Sequence, residues 1–329
     1  MQLNIITKSR KVCTMSKGTV EVYDLVKTFK GDVKAVQGVT FQVAEGEFFA
    51  FLGPNGAGKS TTIQVLTTLL RPTSGTAFIS GFNVDKEPTR VRQVMGVALQ
   101  DTGIDPVLTG RELIELQAKL FGFSNKHAKQ RANELLELIN LQDDANRRVG
   151  KYSGGMRRRL DLALSLVHSP SILFLDEPTT GLDPMNRIAI WDEMRRLNKQ
   201  NGTTIFLTTQ YLEEADQLSD RIAIIQAGRI VATGTPTQLK TKIGMDVIDI
   251  ELVDEAAAQR AGLLLQPISK NERISKNHLK IYVENGSKVL PEIVRILDRD
   301  MITLVHLSVS QPTLDEVFLQ VTAEEVHSN

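Results

Sequence analysis

The chain has 329 residues, 41% of them hydrophobic and 24% charged, and its formal net charge is zero. That length allows two domains, or one large α/β unit with an appendage, each with apolar residues enough for a core. Zero net charge gives no reason to expect nucleic-acid binding, and the single cysteine, Cys13, excludes a disulfide framework within the chain and fits a reducing compartment.

The opening "MQLNIITKSRKVCT" lacks the apolar centre of a signal peptide, so residues 1–16 read as a loose leader, with Met15 as an alternative start. No apolar run approaches the roughly 20 residues of a membrane-spanning helix, and the protein is expected in the cytosol. From Val20 to Phe51, "TVEVYDLVKTF", "VKAVQGVTFQV" and "GEFFAFLG" read as strands, with "AEGE" turning between the last two. A glycine-rich loop follows. Beyond it Ile63, Leu66 and Leu70 recur at helical spacing until "RPTSG". Thr109 to Arg148 is helical in pattern, with apolar stripes in "RELIELQAKLFGF" and "KHAKQRANELLELINL". "ILFLDEP", from Ile172, and "TTIFLTT" are apolar enough for strands buried on both faces. Between them a helix runs from Pro184 to about Lys199, closed by Asn201 and Gly202. "RIAIIQAGRIVATG" reads as a hairpin turning at Ala227 and Gly228. This alternation predicts a mostly parallel sheet with helices on both faces.

Near Leu239 the pattern changes, and a domain boundary is expected near Gly244. "DVIDIEL", "HLKIYVE" and "TLVHLSVS" alternate with period two, while "DEAAAQRAG" and "VLPEIVRILDRD" are helical. With a weak strand near Leu263 the order is β-α-β-β-α-β, which is ferredoxin-like. In the closing "PTLDEVFLQVT", Thr313 and Glu316 have capping-box spacing, and Leu314, Val317, Phe318 and Val321 share one helix face. That face must cover either this domain's core or a partner's groove. Cutting after Gly244 is expected to leave a soluble protein.

The chemistry begins at Gly53-x-x-x-x-Gly58-Lys59-Ser60, between a strand and a helix. Chance supplies such a pattern in about one chain of this length in a hundred. Its backbone N–H groups can wrap phosphate oxygens, Lys59 can reach the β- and γ-phosphates, and the Ser60 hydroxyl can ligate Mg²⁺. Asp176, at the end of an apolar strand, is costly to bury without a cation and is expected to hold that Mg²⁺. Glu177 is then placed to orient or deprotonate the attacking water. "YSGGM" has two readings: a helix start capped by Ser153, or a second phosphate-facing nest made by Ser153, Gly154 and Gly155. The five histidines have no metal-ligand spacing.

Taken in order, these motifs resemble the ATP-binding subunit of ABC transporters. "GPNGAGKST" (Gly53, Pro54, Asn55, Gly56, Ala57, Gly58, Lys59, Ser60, Thr61) is similar to Walker A, "LQD" with Gln100 to the Q-loop, and "SGGM" to the signature. "ILFLDEP" is similar to Walker B and "GLDP" with Asp183 to the D-loop. The resemblance covers about Val20 to Gly244. It implies a P-loop, RecA-like ATPase core over residues 17–244, with an N-terminal antiparallel β subdomain and a helical subdomain at about 101–152. Residues 245–329 would form a small α+β accessory or regulatory domain. It further implies ATP and Mg²⁺ as ligands, with Ser60, Asp176 and Gln100 around the metal. Two such domains, here two copies of this chain, would pair head to tail so that Ser153 and Gly155 serve the partner's ATP. A separate membrane permease would dock on the helical subdomain and hold the protein at the cytoplasmic face of the membrane. Phe29 lies where the family stacks an aromatic ring on adenine; an ordinary core or surface phenylalanine is the alternative.

One position departs from the family. "TTQYLEEAD" has Gln210 where the switch histidine is usual; glutamine can donate a hydrogen bond to a γ-phosphate oxygen but cannot titrate. Lys59, Glu177 and Gln210 are the expected catalytic residues. With "QPTLDEVFL", the switch segment resembles the daunorubicin-resistance-type branch of drug-efflux ATPases, which implies export of drugs or other hydrophobic compounds. The alternatives are a non-transport ABC ATPase acting in assembly or translation, and a module that binds ATP without turnover. Glu177 beside Asp176 stands against the last.

Overall fold

The computed structural model describes residues 20–100, 103–243, 246–269, 271–283, 286–310 and 313–318. The leader, Cys13, Met15, Gly244 and Val321 lie outside the described residues. Strands β1 (Val20–Phe29), β2 (Val33–Val43) and β3 (Phe48–Leu52) lead to helix α1 (Lys59–Leu66). Then come β4 (Ser74–Ile79), β5 (Phe82–Asn83), α2 (Pro88–Val94) and β6 (Met95–Ala98). Three helices, α3 (Gly110–Leu120), α4 (Asn125–Leu138) and α5 (Gly154–Ser165), precede β7 (Ile172–Asp176). After α6 (Pro184–Asn201) the chain forms β8 (Thr204–Thr209), α7 (Leu212–Leu218), β9 (Arg221–Gln226), β10 (Arg229–Gly234) and α8 (Pro236–Ile243).

The central sheet has the order β10-β9-β3-β8-β7-β6, and all its pairings are parallel except the β9–β10 hairpin. Every residue of β3, β7 and β8 is buried, which is why these segments read as continuous apolar runs. Alternate residues point to opposite faces. On one face Phe49, Phe51 and Phe206 meet Phe41 of β2, and Phe174 meets Phe206, with neighbouring ring centroids 5.4 to 5.7 Å apart. This aromatic cluster joins the central sheet to an antiparallel sheet of order β2-β1-β4-β5. On the other face Leu173, Leu175, Ile205 and Leu207 belong to a core shared with the helices between β6 and β8. Helix α3 starts with a capping box in which Thr109 and Glu112 satisfy each other's main-chain N–H.

Two helix ends are instructive. Helix α6 stops at Gly202, whose φ of 65° is left-handed, as the Asn-Gly pair predicts. Helix α1 is shorter than its apolar spacing implies: Thr67 caps it with its hydroxyl on Ile63 O, and Thr68 turns left-handed with φ 64°. Leu70 therefore lies beyond the helix.

The third sheet contains β11 (Asp246–Leu252), β12 (Asn271–Ser275), β13 (His278–Val283) and β14 (Leu304–Ser310), with α9 (Glu255–Leu265) and α10 (Gly286–Arg299) in the crossovers. Its order is β12-β13-β11-β14 and every pairing is antiparallel, the ferredoxin-like arrangement. The weak strand is not at Leu263, which sits inside α9; it is Asn271–Ser275. Leu263 continues the alanine-rich helix because nothing before Gln266 interrupts it, whereas "NERIS" is polar and pairs only along the edge. Ile248, Ile250, Leu279 and Ile281 pack on Ala258, Ala261, Ile293 and Leu297 of the two helices.

A final helical turn at residues 314–318 has the expected reciprocal cap between Thr313 and Glu316. Its apolar face does not cover the third sheet's own core. Leu314 and Val317 are buried against Ala50 and Leu52 of β3, Ile222 and Ile224 of β9, Ala215 of α7 and Leu239 of α8.

Candidate functional site

The loop from Gly53 to Gly58 leaves the C-terminal end of β3, and its shape depends on close backbone approach. Gly58 has φ 106°, and a Cβ there would lie 2.4 Å from Ala35 O, so no other residue fits. Gly53 N–H donates to Thr209 O at 3.2 Å, joining the first glycine to the residue before Gln210. Lys59 opens α1 and is 4% exposed. Its ammonium donates to Gly53 O at 2.8 Å and Pro54 O at 3.0 Å, and pairs with Glu177 Oε1 at 3.1 Å. The lysine therefore lies inside the loop with the predicted base as its counter-ion.

Parallel register sets Asp176 opposite Thr208, and the adjacent strand ends converge on one carboxylate. Asp176, 3% exposed, accepts from Ser60 Oγ at 3.3 Å and from Thr208 Oγ1 in a short hydrogen bond. Glu177 has φ 49°, in the left-handed region; its N–H donates to Thr208 O, and Thr180 Oγ1 donates to its Oε2 at 3.2 Å. Gln210 follows β8, half-buried, two residues beyond Thr208. Lys59 is thus paired with Glu177 and its neighbour Ser60 with Asp176, so two contacts join the start of α1 to the end of β7.

Other predicted residues stand apart from that group. Gln100 is exposed at the end of β6, and Phe29 is 41% exposed at the end of β1 with Lys27 Nζ 5.3 Å from its ring centroid. Ser153 caps α5 by accepting from Met156 N–H, so the capped-helix reading holds whatever else the segment does. Gly155 is pressed against α6: a Cβ there would lie 2.4 Å from Asn186 Oδ1. Asn186 in turn donates from Nδ2 to Asp183 Oδ2 at 2.6 Å and from its main chain to Oδ1 at 3.0 Å. Those bonds hold Asp183 below the usual carboxylate range. Among the described residues, the contacts of Ser153 and Gly155 run to α5 and α6 and none runs to this chain's own glycine loop.

The sequence reading missed Thr208, Asn186, Arg158 and a network around Glu214. Glu214 of α7 is fully buried and accepts from Thr179 Oγ1 at 2.8 Å and Trp191 Nε1 at 2.9 Å; burial pushes its carboxyl up. A lone tryptophan and a helical glutamate carry no motif, so only their proximity reveals them.

Comparison with known proteins gives two family matches. Residues 36–180 match the ABC transporter model, and residues 234–322 match the C-terminal domain of DrrA1-3-like ATP-binding proteins. Daunorubicin resistance ATP-binding protein DrrA3 of Streptomyces coeruleorubidus is 45% identical over 90% of this chain and 93% of that protein. Nod factor export ATP-binding protein I of Burkholderia orbicola is 38% identical over 95% of this chain and 99% of that protein. A solved dimeric ATP-binding cassette in a post-hydrolysis state, bound to ADP and Pi, matches with a TM-score of 0.61 and 29% identity, covering 66% of this chain and 98% of that one.

Proposed function

The chain belongs to the ATP-binding subunits of ABC transporters, and from that membership we propose that it hydrolyses ATP as a head-to-tail pair to drive export through a separate membrane permease. The observation that carries the reading is the contact group of Lys59, Ser60, Asp176 and Glu177 at the ends of β3 and β7. In it Lys59 and the loop amides receive the β- and γ-phosphates, and Glu177 accepts a proton from the water whose oxygen attacks the γ-phosphorus as the bond to ADP breaks. Asp176 and the Ser60 hydroxyl are hard oxygen donors, few in number, and would hold Mg²⁺, with Gln100 as the further candidate ligand. Bound there, Mg²⁺ would neutralise charge on the β- and γ-oxygens. Gln210 donates to the γ-phosphate, and Phe29 offers a ring face to adenine.

Among the described residues Ser153 and Gly155 make no contact with their own glycine loop, which supports the use of Ser153, Gly154 and Gly155 by a second copy together with Asp183. Exposed Met185 and Ile188 at the start of α6 extend that surface. An open groove of about 620 Å³ between β6 and α3, lined by Leu69, Leu99, Leu116 and Phe121, is the surface we assign to the permease. That contact would place the protein at the cytoplasmic face of the membrane. No helix of the described residues is long and apolar enough to cross a membrane, which is why the permease is a separate chain in this reading. The resistance relatives point to drugs or other hydrophobic compounds as cargo.

The test is Mg²⁺-dependent ATPase activity measured against protein concentration. The rate should rise more than linearly, because each site needs the partner's Ser153 region. Lys59→Ala should weaken nucleotide binding, while Glu177→Gln should bind ATP and stall as a dimer. A wild-type rate in Glu177→Gln would refute the assignment of the base.

A further inference from the structure

Arg158 stands on α5, just over one turn beyond the Ser153 cap, and is only 9% exposed. Its guanidinium makes four hydrogen bonds. Nε donates to Pro178 O at 2.8 Å, one terminal nitrogen donates to Leu99 O at 2.6 Å and to Asp161 at 3.2 Å, and the other donates to Asp176 O at 3.0 Å. Three of these acceptors are main-chain carbonyls just where β6 and β7 end, so a ladder partner no longer serves them. Two of the three, Asp176 O and Pro178 O, flank Glu177. Glu177 holds a left-handed φ of 49°, a conformation that a non-glycine residue keeps only when its surroundings impose it.

We propose that Arg158 is a positioning residue for Glu177: it clamps the carbonyls on either side of that residue and so fixes the left-handed turn that aims the carboxylate. The proposal rests on the reading of Glu177 as the base. The same clamp reaches Leu99, next to Gln100, and belongs to the helix whose first residues form the nest for the partner's nucleotide. A tilt of α5 would therefore be felt at the base of its own site through two hydrogen bonds and no intervening loop. Arginine suits the task because its planar fork holds several carbonyls at once; lysine carries the charge on a single point. Asp161, one turn along α5, offsets that buried charge at 3.2 Å.

A purely structural role would also satisfy buried carbonyls, but its loss would loosen the fold and nucleotide binding together. The two are separated by Arg158→Lys, with Arg158→Gln as a second variant, each made in the full chain and in the Glu177→Gln background. With Glu177 present, we expect ATP affinity within about twofold of wild type and kcat lower by about 10- to 100-fold, the scale of a slightly misplaced catalytic group. In the Glu177→Gln background, both variants should still form the ATP-bound dimer seen by size exclusion. Wild-type kcat in Arg158→Lys would overturn the proposal, and so would a fall in ATP affinity or dimer formation as large as the fall in kcat. Wild-type kcat in Glu177→Gln alone would instead overturn the assignment of the base on which the proposal stands.

Discussion

Gln210 differs from a switch histidine in one respect that experiment can read. It can donate a hydrogen bond at any pH, so in the proposed mechanism its contribution would be a contact to the γ-phosphate rather than a proton. Gln210→Ala should slow turnover by about 10- to 100-fold through loss of that donor, and Gln210→His should be tolerated. Steady-state ATPase rates decide this; a wild-type rate in the alanine variant would remove Gln210 from the mechanism. Asp161 gives a second residue-scale test. Burial pushes its carboxyl up to about 6, against 3.8 for a free group, although Arg158 pulls the other way. A carboxyl raised on folding binds its proton more tightly in the native state. Its contribution is thus fullest below the unfolded value and is lost as pH rises through about 6. The difference in melting temperature between wild type and Asp161→Asn should drift across pH 4 to 6 and flatten above about 7. A difference that stays constant over that range would show that Asp161 titrates normally. The motif residues were legible because glycines, a lysine and adjacent acids at fixed spacing have few other uses. Arg158 and Asn186 were not, because their meaning lies in which carbonyl or helix start the fold brings to them.

At the scale of elements, strands and caps read well where local chemistry decides. The buried strands β3, β7 and β8, the Gly202 stop and the Ala227–Gly228 turn, with φ values of 44° and 79°, all follow from composition. The misses share a cause. The α1 terminus and β12 depend on a threonine back-bond and on an edge pairing, neither of which leaves a period in the sequence. The contact between α6 and α7 was equally hidden. Trp191 of α6 and Thr179, four residues before Asp183, both donate to Glu214 of α7, so one buried carboxylate joins three segments. Trp191→Phe keeps most of the packing but leaves that carboxylate short of a donor. It should cost about 1 to 3 kcal/mol in denaturant unfolding. A change below about 0.5 kcal/mol would mean that solvent reaches Glu214 after all.

For the whole molecule, the terminal turn changes what a truncation means. A cut after Gly244 leaves Lys59, Asp176, Glu177 and Gln210 in place, so nucleotide binding should survive. Yet the cut also removes Leu314 and Val317 from the face formed by Ala50, Leu52, Ile222 and Ile224, so the cassette loses a lid along with its appendage. The turn lies beside the third sheet as well, because burial and the nearby Glu316 carboxylate both push the Tyr282 phenol of β13 up. It sits as a strap between the third sheet and the cassette, against α7 directly after Gln210. Exposed aliphatic surface costs roughly 25 cal/mol per Å², and a contiguous apolar patch promotes association. The truncated chain should therefore melt at a lower temperature, bind a hydrophobic dye and aggregate more readily than the full chain, while still binding ATP. Leu314→Asp in the full chain should reproduce the dye binding without removing the third sheet. A truncated protein that melts like the full chain and stays free of dye would show that the strap contributes nothing to the cassette; the aspartate variant keeps that result from being blamed on where the cut was made.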